Sequence, residues 1–198
     1  MPHARKDLLI WQQGMYYHIY NRGVSKSTLF REPTNYLYVM EKLQKYSLEN
    51  LVSVIAYCLM PNHYHLLLRQ DGEQPAGKIP QAIFNSYSKA YNLKYSHSGT
   101  LFEGRFRAKP VQTTSHLLHL CRYIHGNPVK DGLVDDPADW RWSNYLEWIG
   151  KRKSSLVDYD FIETQFVNGR EYKDFLFQYL KSWELPNDVK KFISKLEK

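Results

Sequence analysis

The sequence predicts an α+β fold: a ferredoxin-like (RRM-like) antiparallel sheet with helices on one face, extended by C-terminal helices. Three observations predict it. The apolar pattern changes period in the order strand, helix, strand, strand, helix, strand. The second and third strands are separated only by Met60-Pro61-Asn62, which makes them a hairpin. After Leu133 the composition turns acidic, then Trp-rich, and ends in two amphipathic stretches.

Each element follows from its residues. Met15 to Tyr20 is aromatic and β-branched and stops at Asn21-Arg22-Gly23, which reads as a strand and a turn. Pro33-Thr34 opens a helix with Leu37, Met40, Leu43 and Gln44 on one face and Tyr36 beside them, stopped by Glu49-Asn50. Leu51 to Leu59 and His63 to Arg69 are the hairpin strands. Ile79, Ile83, Tyr87, Ala90 and Tyr91 mark a second helix, and Leu101 to Val111 is extended and basic. Thr113-Thr114-Ser115 caps a third helix, with Leu117, Leu118, Cys121 and Ile124 at helical spacing and Pro128 as its expected end. Tyr172, Phe175, Leu176, Tyr179 and Leu180 form one further amphipathic helix; Val189, Phe192, Ile193 and Leu196 form another, capped by Asn187 or Asp188. The expected division is residues 1–134 as the chemical domain and 135–198 as a mainly helical extension packed on it.

The chain has 198 residues, 43% of them hydrophobic and 24% charged, enough to bury a core. Two cysteines, Cys58 and Cys121, cannot build a disulfide framework, and each falls within an apolar pattern. No apolar run approaches the ~18 residues of a membrane span, and the basic start lacks a long apolar stretch after it. The expectation is a cytoplasmic protein.

Charge is segregated. The net +7 divides into +4 over residues 1–31, −1 over 32–80, +6 over 81–130 and −2 over 131–198. A solvated surface mixes signs, so this division points to a polyanion. Arg105, Arg107 and Lys109 alternate along the extended segment. With Lys89, Lys94 and Arg122 they are the first candidates for phosphate contact, and Arg22 and Lys26 in the first turn come next.

His63 and His65 flank Tyr64 in a strand, so both imidazoles project from one face, about 7 Å apart at the backbone. Two nitrogens at that spacing can converge on one metal ion. Taken alone, such a pair is more often two histidines on a half-exposed strand. On the third helix His116, His119 or Leu120, Tyr123 and Asn127 recur at three- and four-residue spacing, opposite much of the apolar stripe. A phenol and an amide one turn apart, facing the histidine strand, form a metal-assisted nucleophile site. With sixteen tyrosines in the chain, packing is the ordinary role for any one of them.

The motifs Pro61-Asn62-His63-Tyr64-His65-Leu66-Leu67-Leu68, Tyr17-His18-Ile19-Tyr20-Asn21-Arg22-Gly23, Gly99-Thr100-Leu101-Phe102-Glu103-Gly104-Arg105-Phe106, Cys121-Arg122-Tyr123-Ile124-His125-Gly126-Asn127-Pro128-Val129 and Trp140-Arg141-Trp142-Ser143-Asn144-Tyr145 are collinear. Together they resemble the REP-associated tyrosine transposases, a branch of the IS200-like, single-tyrosine HUH transposases. The resemblance spans residues 15–150. It implies a metal-dependent endonuclease and strand transferase acting on single-stranded DNA at hairpin elements, with Tyr123 as nucleophile and His63, His65 and Asn127 around a divalent Mg²⁺ or Mn²⁺ ion. It further implies a nucleoid-associated bacterial protein, as a monomer or homodimer. Some relatives carry Gln at the Asn127 position, and Gly126 is unusual in this motif.

The chemistry suits those residue types. A phenol with a pKa near 10 is a weak nucleophile at neutral pH, and a cation on the phosphate compensates. Two readings compete. A ferredoxin-like sheet with a basic rim can bind single-stranded nucleic acid without cutting it, although it lacks the aromatic RNP signature. A zinc hydrolase built on the histidine pair would use water and survive loss of Tyr123.

Overall fold

Strand formation is densest where branched and aromatic residues alternate between two buried faces. The computed structural model describes residues 9–197, with side chains through Ser194. Four strands, β1 (Tyr16–Arg22), β2 (Val52–Met60), β3 (His63–Gln70) and β4 (Arg107–Val111), form one antiparallel sheet in the order β2-β3-β1-β4. That order is the ferredoxin-like one expected from the strand and helix pattern.

Helices α1 (Pro33–Glu49) and α2 (Lys78–Tyr95) pack on the face that carries Tyr17, Ile19, Tyr64, Leu66 and Leu68. Helix α3 (Thr114–Lys130) packs on the opposite face. It is followed by the short α4 (Tyr145–Trp148) and α5 (Tyr159–Gln165), then α6 (Gly169–Ser182) and α7 (Asn187–Glu197). The expected single helical face thus describes α1 and α2 only. The second face is covered by α3, α6 and α7, whose Leu117, Leu120, Ile124, Leu176, Val189 and Ile193 share one core with Cys58 and Leu67. Both cysteines are buried there, and burial raises both thiol pKa values.

Several local expectations change. In α1 the buried stripe is Tyr36, Val39 and Leu43; Leu37 is 43% exposed and Gln44 faces solvent. Ala90 of α2 is likewise exposed. The basic extended segment is a strand only over Arg107–Val111. Leu196, expected on the apolar face of the last helix, has its side chain outside the described residues, as do the basic residues at the start of the chain.

Helix α3 does not end at Pro128. Thr113 accepts a hydrogen bond from the His116 amide at 3.2 Å, the expected cap. The helix then runs through Pro128 to Lys130. Proline lacks the donor that would bond the Ile124 carbonyl, yet residues 120–128 are all buried, so packing on both sides holds the turn. Tyr123 and Asn127 are therefore not on an open face. They lie between the sheet and the C-terminal helices, 2% and 3% exposed.

Gly126 explains how α6 approaches. A Cβ there would lie 3.0 Å from Leu180 and 3.1 Å from Tyr179, so the missing side chain lets the two helices close. The Trp-rich segment has a comparable role at the sheet edge. Asn144 accepts from the Tyr57 amide at 2.8 Å and donates to the Ile55 carbonyl at 2.9 Å. Trp148 donates to Ile55 at 3.0 Å and Trp140 to Leu59 at 3.1 Å. His125 Nε2 donates to Asn144 Oδ1 at 2.8 Å, and its Nδ1 accepts from the Tyr172 hydroxyl at 2.5 Å. The segment fills the hydrogen-bonding edge of β2 and ties α3 and α6 to it.

Candidate active site

Antiparallel register decides which side chains meet. Tyr20 pairs with His65 and Arg22 with His63, and paired residues share a face. His18, Tyr20, Arg22, His63 and His65 therefore converge on the face under α3. The His63 and His65 rings are 5.1 Å apart at their centroids and nearly perpendicular. Tyr20 is 4.9 Å from His65.

Helix α3 brings the phenol in. The Tyr123 ring meets His65 edge to face at 5.5 Å. One turn later Asn127 lines a cleft of about 310 Å³ together with His63, Asn62, Tyr20 and Arg22. Its Nδ2 donates to the Tyr123 carbonyl at 2.8 Å. The structure thus brings together all four residues singled out for chemistry: His63, His65, Tyr123 and Asn127.

Hydrogen bonding restricts the protonation of the histidines. The Asn62 amide oxygen sits 2.7 Å from His63 Nδ1, so that nitrogen carries the proton and Nε2 keeps a lone pair. His65 Nδ1 faces His18 Nε2 at 3.1 Å, while its buried Nε2 has no hydrogen-bond partner among the described residues. Burial, then Lys130 and Arg22, lower the His63 pKa to about 4. Burial, then His63, His18 and Lys130, hold His65 well below its ordinary value. Burial and Lys109 bring His18 to about 3. All three imidazoles are neutral at pH 7.

Neutral imidazoles with an unpartnered buried nitrogen suit a divalent cation. Among the described residues no three His, Cys, Asp or Glu side chains cluster as a metal site. A donor set for such a cation would mix imidazole with oxygen, such as the Asn127 amide. It does not match the Cys and His sets of structural zinc.

The basic residues divide. Arg22 and Lys26 line the His63 cleft, and Arg22 is paired with Glu103 at 2.5 Å. Arg107 and Lys109 lie opposite Tyr20 and His18 on the histidine face. Lys109 is drawn to α7, donating to the Phe192 carbonyl at 3.1 Å. Arg105 stands on the opposite side of the sheet, at a groove lined by Phe84 and Phe102. Lys89 and Lys94 are exposed on α2, and Lys94 is bonded to Glu32. Arg122 is only 8% exposed, with its guanidinium 4.7 Å from the Phe175 ring and 5.3 Å from Tyr179. It is a packing residue between α3 and α6, contrary to its placement among the DNA contacts, because the C-terminal helices cover the face it was expected to present.

Sequence reasoning missed His18, Tyr20 and Lys130. Counting in twos along β1 from Tyr16 puts His18 and Tyr20 on one face, which was the available signal. Lys130 lies beyond the helix end that Pro128 predicts, and continuing the spacing from Tyr123 and Asn127 reaches it.

A family profile described as transposase IS200-like matches residues 12–127, more than half of the chain. The chain belongs to the IS200-like transposase family. A REP-associated tyrosine transposase of Escherichia coli K12 is 24% identical over 113 residues, covering 57% of this chain and 66% of the relative. A Haemophilus influenzae protein assigned the same name is 27% identical over 128 residues, covering 57% of this chain and 70% of the relative. Tyrosine transposases are DNA-cleaving and joining enzymes, and this IS200-like transposase is one by relationship. A solved REP-associated tyrosine transposase bound to a REP hairpin has the same fold, with a TM-score of 0.63 and 18% identity over 78% of this chain and 98% of that one. In this IS200-like chain no described helix is long and apolar enough to cross a membrane.

Proposed function

We propose that this IS200-like transposase nicks and rejoins single-stranded DNA beside a hairpin, through a 5′-phosphotyrosine on Tyr123. The observation that carries this reading is the approach of Tyr123 to His65 at 5.5 Å, with Asn127 one turn away in the His63 cleft. The relatives named REP-associated tyrosine transposases support it, and one of them was solved on a hairpin.

In this reading the Tyr123 oxygen attacks the scissile phosphorus in line with the 3′ oxygen. The bond from phosphorus to the 3′ oxygen breaks, the phenol gives up its proton, and the departing strand takes one as a 3′-hydroxyl. Joining is the reverse: a 3′-hydroxyl attacks the phosphotyrosine and the phenol leaves. The linkage conserves the energy of the broken bond, so no nucleotide cofactor is needed. His63, His65 and Asn127 would hold a divalent cation, Mg²⁺ or Mn²⁺, which supplies charge neutralisation at the phosphate. Tyr20 walls the histidine pocket, while Arg22, Lys26 and Arg107 present positive charge around it.

The test uses the full chain, Mn²⁺ and a labelled hairpin with single-stranded flanks. The expected product is a protein–DNA adduct that survives denaturation and is absent in Tyr123→Phe. An unchanged product with Tyr123→Phe sinks the nucleophile assignment. Salt-sensitive binding without an adduct in any metal favours a binding module.

A further inference from the structure

Lys130 has no role in the reading above, yet its position connects the two halves of the site. It lines the cleft that holds His63 and Asn127, and also a second cleft of about 390 Å³ that holds Tyr123. Its ammonium lies 5.2 Å from the centre of the Tyr123 ring. Tyr123, Asn127 and Lys130 follow one another at four- and three-residue spacing on one helix, because α3 continues through Pro128.

The other cations at the His63 cleft are placed differently. Arg22 is held by Glu103. Lys26 lines the His63 cleft but not the Tyr123 cleft. Among the described residues Lys130 takes part in no ion pair. Lys130 is an exposed ammonium at the mouth of both clefts, beside the phenol and the neutral histidine pair, with Asp131 lining the His63 cleft next to it but not paired to it. The anion that this chemistry brings there is a phosphodiester.

We infer that Lys130 grips the scissile phosphate, placing it between the Tyr123 phenol and the histidine pair. This rests on the proposed strand-cleavage reading and adds a catalytic residue to it. The ammonium binds a non-bridging phosphate oxygen and keeps its proton throughout. The oxygen of Tyr123 forms the new bond to phosphorus, and the bond to the 3′ oxygen breaks. A cation fixed to the nucleophile's own helix keeps phosphate and phenol in register.

The experiment is a neutral-linkage walk. A labelled hairpin is selected for binding from a pool with randomised single-stranded flanks. It is then synthesised with one methylphosphonate at each flank linkage in turn. Affinity is measured in chelator for the full-length wild type, Lys130→Met and Lys130→Arg. A charge-assisted contact predicts that the wild type loses about tenfold in affinity at one linkage. Lys130→Met should bind that oligonucleotide and its charged parent equally, and Lys130→Arg should restore the preference. With Mn²⁺, the same linkage should be the one cleaved.

Equal sensitivity of wild type and Lys130→Met at every linkage overturns the inference. So does a Lys130-dependent linkage that differs from the cleaved one. If the walk finds a Lys130-dependent linkage but no Tyr123 adduct forms in Mn²⁺ or Mg²⁺, the phosphate contact stands and the cleavage reading fails. Matching melting temperatures for the three proteins separate lost contact from lost fold.

Discussion

His18 Nε2 lies 3.1 Å from His65 Nδ1, and both rings are buried. One proton sits between two nitrogens, and its owner decides whether His65 Nε2 can act as a ligand. When His65 Nδ1 donates, Nε2 has a lone pair; when His18 donates, His65 Nε2 carries the hydrogen. His18→Ala removes that choice and the ring that orients His65. Outer-partner losses of this kind weaken metal affinity by about 10- to 100-fold, which Mn²⁺ titration followed by electron paramagnetic resonance reads directly. An unchanged affinity means His65 is oriented without His18.

The burial of Tyr123 leads to a second expectation. At 2% exposure it shares a core with Val189 and Ile193 of α7. That helix is fastened through Lys109 to Phe192 and through His116 to Asp188. The cleft that Tyr123 lines is bordered by Lys190, Ile193 and Ser194 of this helix, so loosening α7 widens the approach to the phenol. Ending the chain after Leu185, or changing Ile193→Asp, should speed adduct formation and raise nitration of Tyr123 mapped by peptide analysis. Unchanged rates in both variants would show that α7 leaves the approach free.

Asn144 is the most heavily bonded side chain at the sheet edge. Removing it leaves the Tyr57 amide and His125 Nε2 without partners, while the Ile55 carbonyl keeps only Trp148. Asn144→Ala should cost about 3 kcal/mol or more in urea unfolding, since each buried orphan costs about 1–3 kcal/mol. A cost under about 1 kcal/mol would mean that water or a shifted Trp148 replaces the amide.

His125 gives the fold a dependence on acid. Burial lowers its pKa from 6.5 to about 4. The unfolded chain therefore binds a proton below about 6.5 while the native chain does not until about 4. Its contribution is fully present above the unfolded value and is lost as pH falls through that window. The slope approaches 1.4 kcal/mol per pH unit for this group. His125→Gln should flatten the stability profile between pH 6.5 and 4.5 by about one proton's worth. An identical slope sinks the assignment.

What the sequence made legible was set by local pattern. The strands of the Met60-Pro61-Asn62 hairpin, the Thr113 cap and the four-residue step from Tyr123 to Asn127 each depend on near neighbours, and each is found in the structure. What it hid depends on contacts distant along the chain. The exposed side expected for Tyr123 is covered by residues more than fifty positions later. Arg122 reads as a free cation until Phe175 and Tyr179 arrive to stack on it. Gly126 reads as a weak point in a helix, whereas its missing side chain makes room for α6. The same distance hid Pro128: a proline ends an isolated helix, and only tertiary packing carries α3 two residues further to Lys130.

The edge of β2 has a consequence for how the chain is made. Its outer hydrogen bonds go to the segment around Trp142 and Asn144, with an isolated bridge from Val54 to Val157. On the ribosome, β1, β2 and β3 emerge first, and their apolar edge stays open until that later segment follows. The nascent chain therefore passes through an interval in which an unpaired strand faces its neighbours on the polysome. Trigger-type chaperones that shield extended apolar segments should matter most for this protein in that interval, and a stall introduced before residue 142 should convert it into aggregate.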